Sequence, residues 1–380
     1  MSQIFFTVGP AHMYPTVQQH VATFFTKQLG SVSHRSMEFR VLHNHTVEQL
    51  RLLMGIPPEF EIYFSGSASE LWERIIINCV QKESYHVVQG AFAKRFYEYA
   101  LELDKHATCT KVPNGETILP SQVQVPPQAE LIALTYNETS TGVQLQPDVL
   151  TACRAQNPQA ITAVDIVSCA PISPLDFNTI DIAFFSVQKG FGLPAGLGVW
   201  IVHPRCVERA LQIQAEQSIG AHNTLPKHHR NFLLSETPST PNVLGIYLLG
   251  KVAEDMNTIG MQTIRHESAR KAEYLYAYFD NHPACTPFVQ NKKARSETVI
   301  TLRVQNPVYV LQYLTSRGLR CSSGYGDLKD STIRIANFPA LSFADVQQLC
   351  TAFDTFPTEK NTDETFPSHP RCNRHVCVII

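Results

Sequence analysis

Asp181-Ile182-Ala183-Phe184-Phe185-Ser186-Val187-Gln188-Lys189-Gly190-Phe191-Gly192 reads as a buried apolar strand that stops abruptly in a polar residue, a lysine and two glycines. Lysine is costly at the end of a buried strand, because its ammonium must give up water. The same desolvation lowers its pKa and turns the ammonium toward an amine that can attack a carbonyl. Upstream, Ala160-Ile161-Thr162-Ala163-Val164-Asp165 has the same design and ends in a carboxylate. An acid at one strand end and a lysine at the next suit pyridoxal phosphate. The lysine would form the Schiff base, and the acid would keep the pyridine nitrogen protonated so that the ring accepts electrons. Taken by themselves, the two residues also suit a turn-capping aspartate and an exposed loop lysine.

The chain around this pair is that of a large domain with a smaller companion, since 380 residues exceed what one core usually holds. With 44% hydrophobic and 17% charged residues, the composition is that of a soluble globular protein. A net charge of -2 without long basic runs argues against a nucleic-acid surface. No apolar run approaches the roughly 20 residues of a membrane span, and residues 1–6 lack the basic and apolar regions of a signal peptide. The ten cysteines form no CxxC pair, so neither zinc nor a disulfide framework is indicated. A reducing cytosol is the simplest compartment.

Strand–helix alternation runs through the first two-thirds of the chain. Helices are expected over residues 15–28 and 37–54, the second ending at Gly55 and Pro57. A strand over 61–64 leads through Ser65-Gly66-Ser67-Ala68-Ser69 into another helix, and such a small-residue turn can present N–H groups to a phosphate. Strands over 85–88, 131–135 and 198–202 and helices over 93–103 and 147–155 continue the pattern. It implies an α/β fold, a mainly parallel sheet covered on both faces, with ligands at the carboxyl ends of strands. Asn137-Glu138-Thr139, Asp165 and Lys189 all fall just past such ends. Residues 208–240 read as a polar stretch. Its adjacent histidines, His228 and His229, point different ways on a helix and make a poor metal site. A capped helix follows over 243–259 and another over 262–279. Beyond them, strands over 298–304 and 332–336 with helices near 308–316 and 343–353 read as a small α+β domain. The expected division is a large domain over 15–245, a small one over 1–14 plus 246–354, and a disordered tail over 355–380. The tail ends Cys377-Val378-Ile379-Ile380, which has the form of a prenylation box but no polybasic neighbour.

These residues resemble the class V, fold-type I aminotransferases that use pyridoxal phosphate, from about residue 4 to about residue 352. Phe6-Thr7-Val8-Gly9-Pro10-Ala11, Ser33-His34-Arg35-Ser36 and Ile56-Pro57-Pro58-Glu59-Phe60 are similar to phosphoserine aminotransferases. Tyr136-Asn137-Glu138-Thr139-Ser140-Thr141-Gly142-Val143, Val164-Asp165-Ile166-Val167-Ser168 and Gly324-Tyr325-Gly326-Asp327-Leu328-Lys329 leading to Ile333-Arg334-Ile335 resemble the alanine/serine–glyoxylate branch. The resemblance implies that Lys189 is the Schiff-base lysine and Asp165 the partner of the pyridine nitrogen. It implies that Ala68 and Ser69, with Gln188 beside them, hold the phosphate, and that Phe92 stacks on the ring. Thr139 and Ser168 would bond the ring substituents, and Arg334 would clamp the substrate α-carboxylate through its bidentate fork. Thr237 matches a threonine that reaches the neighbouring subunit's phosphate, which implies a homodimer with shared active sites. Glu236 stands where an asparagine precedes that threonine in the family, and a carboxylate there would repel a phosphate.

The partners implied are a small amino acid and a 2-oxo acid. Phosphoserine with 2-oxoglutarate leads, and alanine or serine with glyoxylate is the alternative. The His-Arg pair that phosphoserine aminotransferases carry shortly before the carboxylate-binding arginine is absent from residues 323–329. That leaves His34, Arg35 and Lys329 to meet a substrate phosphate. A lyase of the cysteine-desulfurase type shares the fold and would need a nucleophilic cysteine, for which Cys321 is the candidate. A scaffold that has lost its cofactor is the non-enzymatic reading, against which the joint presence of Asp165, Lys189 and Arg334 speaks.

Overall fold

The computed structural model describes residues 3–357, so the Cys377–Ile380 box and nearly all of the expected tail lie outside the described residues. A seven-stranded sheet forms the larger layer, in the order Glu61–Ser65, Gly198–Val202, Ile182–Ser186, Ile161–Asp165, Leu131–Thr135, Glu83–Val88 and His106–Lys111. Gly198–Val202 runs antiparallel to both its neighbours, and the remaining adjacent pairs are parallel. The register brings Thr135 beside Asp165 and Asp165 beside Phe184. Leu131–Thr135 and Ile161–Asp165 therefore finish level, Ile182–Ser186 runs two residues further, and the loops that follow share one rim of the sheet.

The central strands are apolar in both directions because both faces are covered. Ala183, Phe185, Val199 and Ile201 face a core shared with helices Val17–Thr26, Met37–Met54, Pro147–Gln156 and Val243–Ile259. Ile182, Phe184, Trp200 and Val202 face the opposite core, closed by Ala68–Cys79, Ala91–Glu102 and Pro204–Glu216. Phe184 and Phe185 are fully buried on opposite sides, and truncating either to alanine would cost about 3–5 kcal/mol. His106–Lys111 is a strand that periodicity does not announce, because this edge strand buries only part of one face.

A five-stranded sheet forms the second layer, in the order Ile4–Phe6, Leu319–Ser323, Thr332–Ala336, Val299–Val304 and Cys285–Pro287. The N-terminal strand pairs parallel with Leu319–Ser323, which ties the first residues to the last third of the chain. Helices Met261–Asp280, Pro307–Ser316 and Phe343–Asp354 supply its core. Ile246, Leu249, Val252 and Met256 of helix Val243–Ile259 pack into the core beneath Met37–Met54, and Ile264 of the next helix joins the same core.

The polar stretch 208–240 contains the end of helix Pro204–Glu216 and a second helix, Leu225–Phe232. The first anchors through only Cys206, Val207, Ala210 and Ile213, a stripe too narrow to stand out in a charged sequence. On the second helix His228 stacks on Tyr63 at 5.0 Å, while Nδ1 of His229 faces Glu61 Oε1 at 2.9 Å. Among the described residues, no helix is long and apolar enough to cross a membrane.

Candidate active site

Lys189 follows the strand Ile182–Ser186 in a turn that needs its glycine. A Cβ on Gly190 would lie 2.0 Å from the Ala170 carbonyl oxygen, so any side chain there would displace the lysine. The Lys189 side chain is 8% exposed. Its Nζ donates to Thr139 Oγ1 at 3.1 Å and lies 5.4 Å from the Phe92 ring centroid. Burial lowers its pKa to about 8; the Asp165 charge opposes this and the Arg334 charge reinforces it. Asp165, 3% exposed, accepts the Val167 N–H at 2.9 Å on Oδ1 and the Trp72 indole N–H at 3.2 Å on Oδ2. Burial pushes its pKa up to about 6, and the Val167 N–H, the Lys189 charge and the Trp72 indole all pull it back. A buried acid and a buried amine, each displaced toward neutrality by desolvation, are the pairing that acid–base chemistry near pH 7 requires.

Both groups open onto a cavity of about 340 Å³ whose lining also includes Ala68, Ser69, Phe92, Thr139, Gln188 and Arg334. The structure thus gathers eight of the expected site residues around one space. Ser67 caps helix Ala68–Cys79 by accepting the Glu70 N–H at 3.4 Å. The Ala68 N–H donates to Ser186 Oγ at 2.7 Å, and Ser69 follows in the first turn, where N–H groups have no intrahelical partner. The turn lies against Gly198, where a Cβ would come within 2.5 Å of the Ser67 backbone. Arg334, 7% exposed, donates Nε to Ser323 O at 2.9 Å and Nη1 to Thr139 O at 3.1 Å. Two of its five donors are thus fixed on carbonyls, which aims the rest of the fork. Burial lowers its pKa to about 10, so it stays a cation at neutral pH.

The donor set fits a phosphorylated pyridine aldehyde. An amine, a carboxylate for a ring nitrogen, an aromatic face and a helix start for a phosphate surround one space. Buried polar atoms without partners also line it, among them Gln188 Oε1, Asn137 Oδ1 and Thr135 Oγ1.

Five expected residues lie elsewhere. Ser168 does not line the cavity: its hydroxyl donates to Asn137 O at 2.7 Å and accepts Asn137 Nδ2 at 2.7 Å, so it braces the Asn137–Thr139 segment from behind. Thr237 is buried, donates to Ser239 O at 2.8 Å and lines a separate hollow with Ser65 and Gly66. Lys329 is exposed beyond the Gly326–Leu328 turn. His34 and Arg35 sit on a surface loop, where Arg35 bonds Asn231 Oδ1 at 2.9 Å and ion-pairs with Glu236. Glu236 also pairs with Arg40 at 2.7 Å. The two guanidiniums, Arg40 first, hold its carboxyl below the usual carboxylate range, so its charge is matched locally. Cys321 does not line the cavity either, and burial pushes its thiol up, away from the nucleophilic thiolate that a lyase would need.

Sequence reasoning did not single out Trp72 or assign Glu138 a role. Trp72 stands four residues after Ala68, so helical spacing turns it toward the same cavity. Glu138, fully buried, accepts the Phe92, Ala93 and Ser140 N–H groups at 3.0–3.3 Å and fixes the start of helix Ala91–Glu102. Tyr325 stacks on Phe92 with ring centroids 4.8 Å apart and an interplanar angle of 25°. It also lies 5.6 Å from the Arg334 guanidinium.

The sequence matches the class-V aminotransferase family over residues 4–349. Its fold is similar to a phosphoserine aminotransferase from Cytophaga hutchinsonii, with a TM-score of 0.91 and 40% identity over 93% of this chain and 98% of that one. It is 26% identical to a phosphoserine aminotransferase of Corynebacterium glutamicum over 92% of this chain and 93% of the relative. An alanine–glyoxylate aminotransferase from Nostoc sp. shares the fold at a TM-score of 0.79, with 20% identity over 93% of this chain and 95% of that one. With the lysine, the buried acid and the guanidinium gathered at one sheet rim, the chain belongs to the class-V aminotransferases, fold-type I enzymes that work through pyridoxal phosphate.

Proposed function

We propose that this chain transfers the amino group of phosphoserine to 2-oxoglutarate, placing it in serine biosynthesis, and that it works in the cytosol as a homodimer with shared active sites. The observation that carries the substrate assignment is the 40% identity to the Cytophaga hutchinsonii phosphoserine aminotransferase along nearly the whole chain. Pyridoxal phosphate, when bound, supplies the electron-poor ring that makes the substrate Cα–H acidic. Asp165 would hold the proton on the pyridine nitrogen. Lys189, with its amine pKa lowered by burial, would take the Cα proton and return it on the other side of the exchange. Arg334 would fix the α-carboxylate through the donors that Ser323 and Thr139 leave unused. Phe92 and Tyr325 would close the aromatic side of the cavity and exclude water.

The shared site is supported by the residues that fall outside the cavity. Arg35 and Arg40 converge on the buried Glu236, with His34 and the buried Thr237 next to them in the chain, and these positions are close in the chain to the exposed Phe25, Met37, Val41, Leu233 and Leu234. Exposed apolar side chains beside charged ones mark an interaction surface. In the proposed dimer, Arg35 and His34 would meet the phosphate of a substrate bound by the partner. The eight cysteines of the described residues are all free thiols, which suits a reducing compartment.

The alternative donor pair, alanine or serine with glyoxylate, is favoured by one observation: Tyr325, and no His-Arg pair, stands before Arg334. The test is kcat/KM for phosphoserine, alanine and serine in the wild type and Arg35→Ala. Loss of one charge-assisted contact costs about 1.5–3 kcal/mol, so phosphoserine turnover should fall about 10- to 150-fold while alanine turnover holds. An even loss across donors, with a wild type that prefers alanine or serine, would overturn the phosphoserine assignment.

A further inference from the structure

Among the described residues, Trp72 is the one polar side chain that hydrogen-bonds the Asp165 carboxylate. It is 6% exposed, stacked on Phe96 with centroids 6.1 Å apart at 21°, and abutted edgewise by Tyr99 at 5.5 Å. Packed in this way, the indole points Nε1 at Asp165 and donates to its Oδ2 at 3.2 Å. The other oxygen accepts the Val167 N–H at 2.9 Å. An indole donates and cannot accept, so this contact rewards the charged carboxylate and gives nothing to a proton on that oxygen. The other groups acting on Asp165 are Lys189, which favours the charge, Glu138, which opposes it, and the thiol of Cys169.

We propose that Trp72 is a positioning residue for the cofactor: its indole N–H locks the Asp165 side chain in place and holds it as the anion that keeps the pyridine nitrogen protonated. A buried indole satisfied by whatever acceptor lies nearest would have the same geometry. The two roles separate by what Asp165 does when Trp72 loses its N–H. Trp72→Phe keeps an aromatic ring against Phe96 and removes the donor, at the cost of the volume of the second indole ring.

The chain has two tryptophans, and Nε1 of the other, Trp200, is buried without a partner. A ¹⁵N-labelled protein therefore gives two indole N–H signals, and one of them reports on Asp165. In both the cofactor-free and the loaded protein, Asp165→Asn should displace the Trp72 signal and leave that of Trp200 in place. In the cofactor-free wild type, the Trp72 signal should follow the titration of Asp165. For the second arm the enzyme is loaded with pyridoxal phosphate labelled at the ring nitrogen. Loss of a hydrogen bond to a charged group should bring deprotonation of that nitrogen about one to two pH units lower in Trp72→Phe than in wild type. Cofactor dissociation should rise about 10- to 150-fold. A Trp72 signal indifferent to Asp165→Asn would overturn the proposal, and so would a Trp72→Phe enzyme whose ring nitrogen titrates as in wild type. The first arm keeps Trp72 intact, so even where Trp72→Phe folds poorly an indole signal that ignores Asp165 refutes the proposal.

Discussion

Among the described residues no carboxylate hydrogen-bonds the buried Lys189, so its burial is a cost carried by the fold for the sake of chemistry. The folded pKa of Lys189 is lowered to about 8 from 10.5. Between those values the unfolded chain binds more protons than the folded one, so this residue makes stability rise with pH across that window. Below about pH 8 its penalty is present in full. Lys189→Met should therefore stabilise the cofactor-free protein by about 1–3 kcal/mol at pH 7, less whatever Asp165 loses with its cationic neighbour. The gain should fade toward pH 10.5. Denaturant midpoints at pH 7 and pH 10 measure it, and an equal gain at both would show that the amine is not held neutral by burial. At this scale Lys189 and Asp165 stood out as candidates because each is a charge where an apolar strand ends, whereas Arg334 lies in the middle of Thr332–Ala336 and was singled out only by the family resemblance. Ser168 was misplaced for a physical reason: a short hydroxyl side chain bonds nearby backbone as readily as a ligand, and here Asn137 takes both its hydrogen bonds. Trp72 reads as core, and it is core by packing; only its nitrogen belongs to the site.

The turn Ser67–Ala68 owes its place to its neighbours in the sheet. Gly198 opens the one antiparallel strand beside it, and a methyl group there would press on Ser67 backbone atoms that have no rotamer to yield. Gly198→Ala should cost about 1–3 kcal/mol of stability, as overpacking does, and should weaken binding of pyridoxal phosphate more than it slows turnover at saturation. Denaturant unfolding together with cofactor titration checks this, and wild-type affinity in the variant would show that the turn does not depend on that close approach. The elements that carry Asp165 and Lys189 were readable because strands buried on both faces are short unbroken apolar runs. Edge strand His106–Lys111 and helices Pro204–Glu216 and Leu225–Phe232 were not, since each buries a narrow face and leaves most of its residues to solvent. Helix Val243–Ile259 was recognised, but its apolar face does not by itself say which sheet it will cover, and here it packs with Met37–Met54.

For the whole molecule, the question is what the residues at the Arg35 surface are for. Arg35 and Arg40 close on Glu236, whose carboxylate replaces the amide expected there, and Thr237 lies beside them, so a charge that would repel a phosphate is matched before any phosphate arrives. That arrangement is hard to explain for a solvated loop, where an exposed pair contributes little. It is reasonable at an interface that must carry Arg35 toward an anion. Hybrid dimers test the sharing directly. Lys189→Ala supplies an intact Arg35 surface and Arg35→Ala an intact lysine, so each homodimer should be inactive or strongly impaired with phosphoserine. In a mixture refolded together, about half the dimers are hybrids, and in the proposed arrangement each hybrid contains one site with both residues and one with neither. Activity should recover to about a quarter of wild type, with a KM for phosphoserine equal to that of wild type because the restored site is complete. Were each chain to use its own Arg35, every site in the mixture would lack one residue or the other. The mixture would then show no more than the average of its parents, and the shared site would be refuted even if the protein sediments as a dimer.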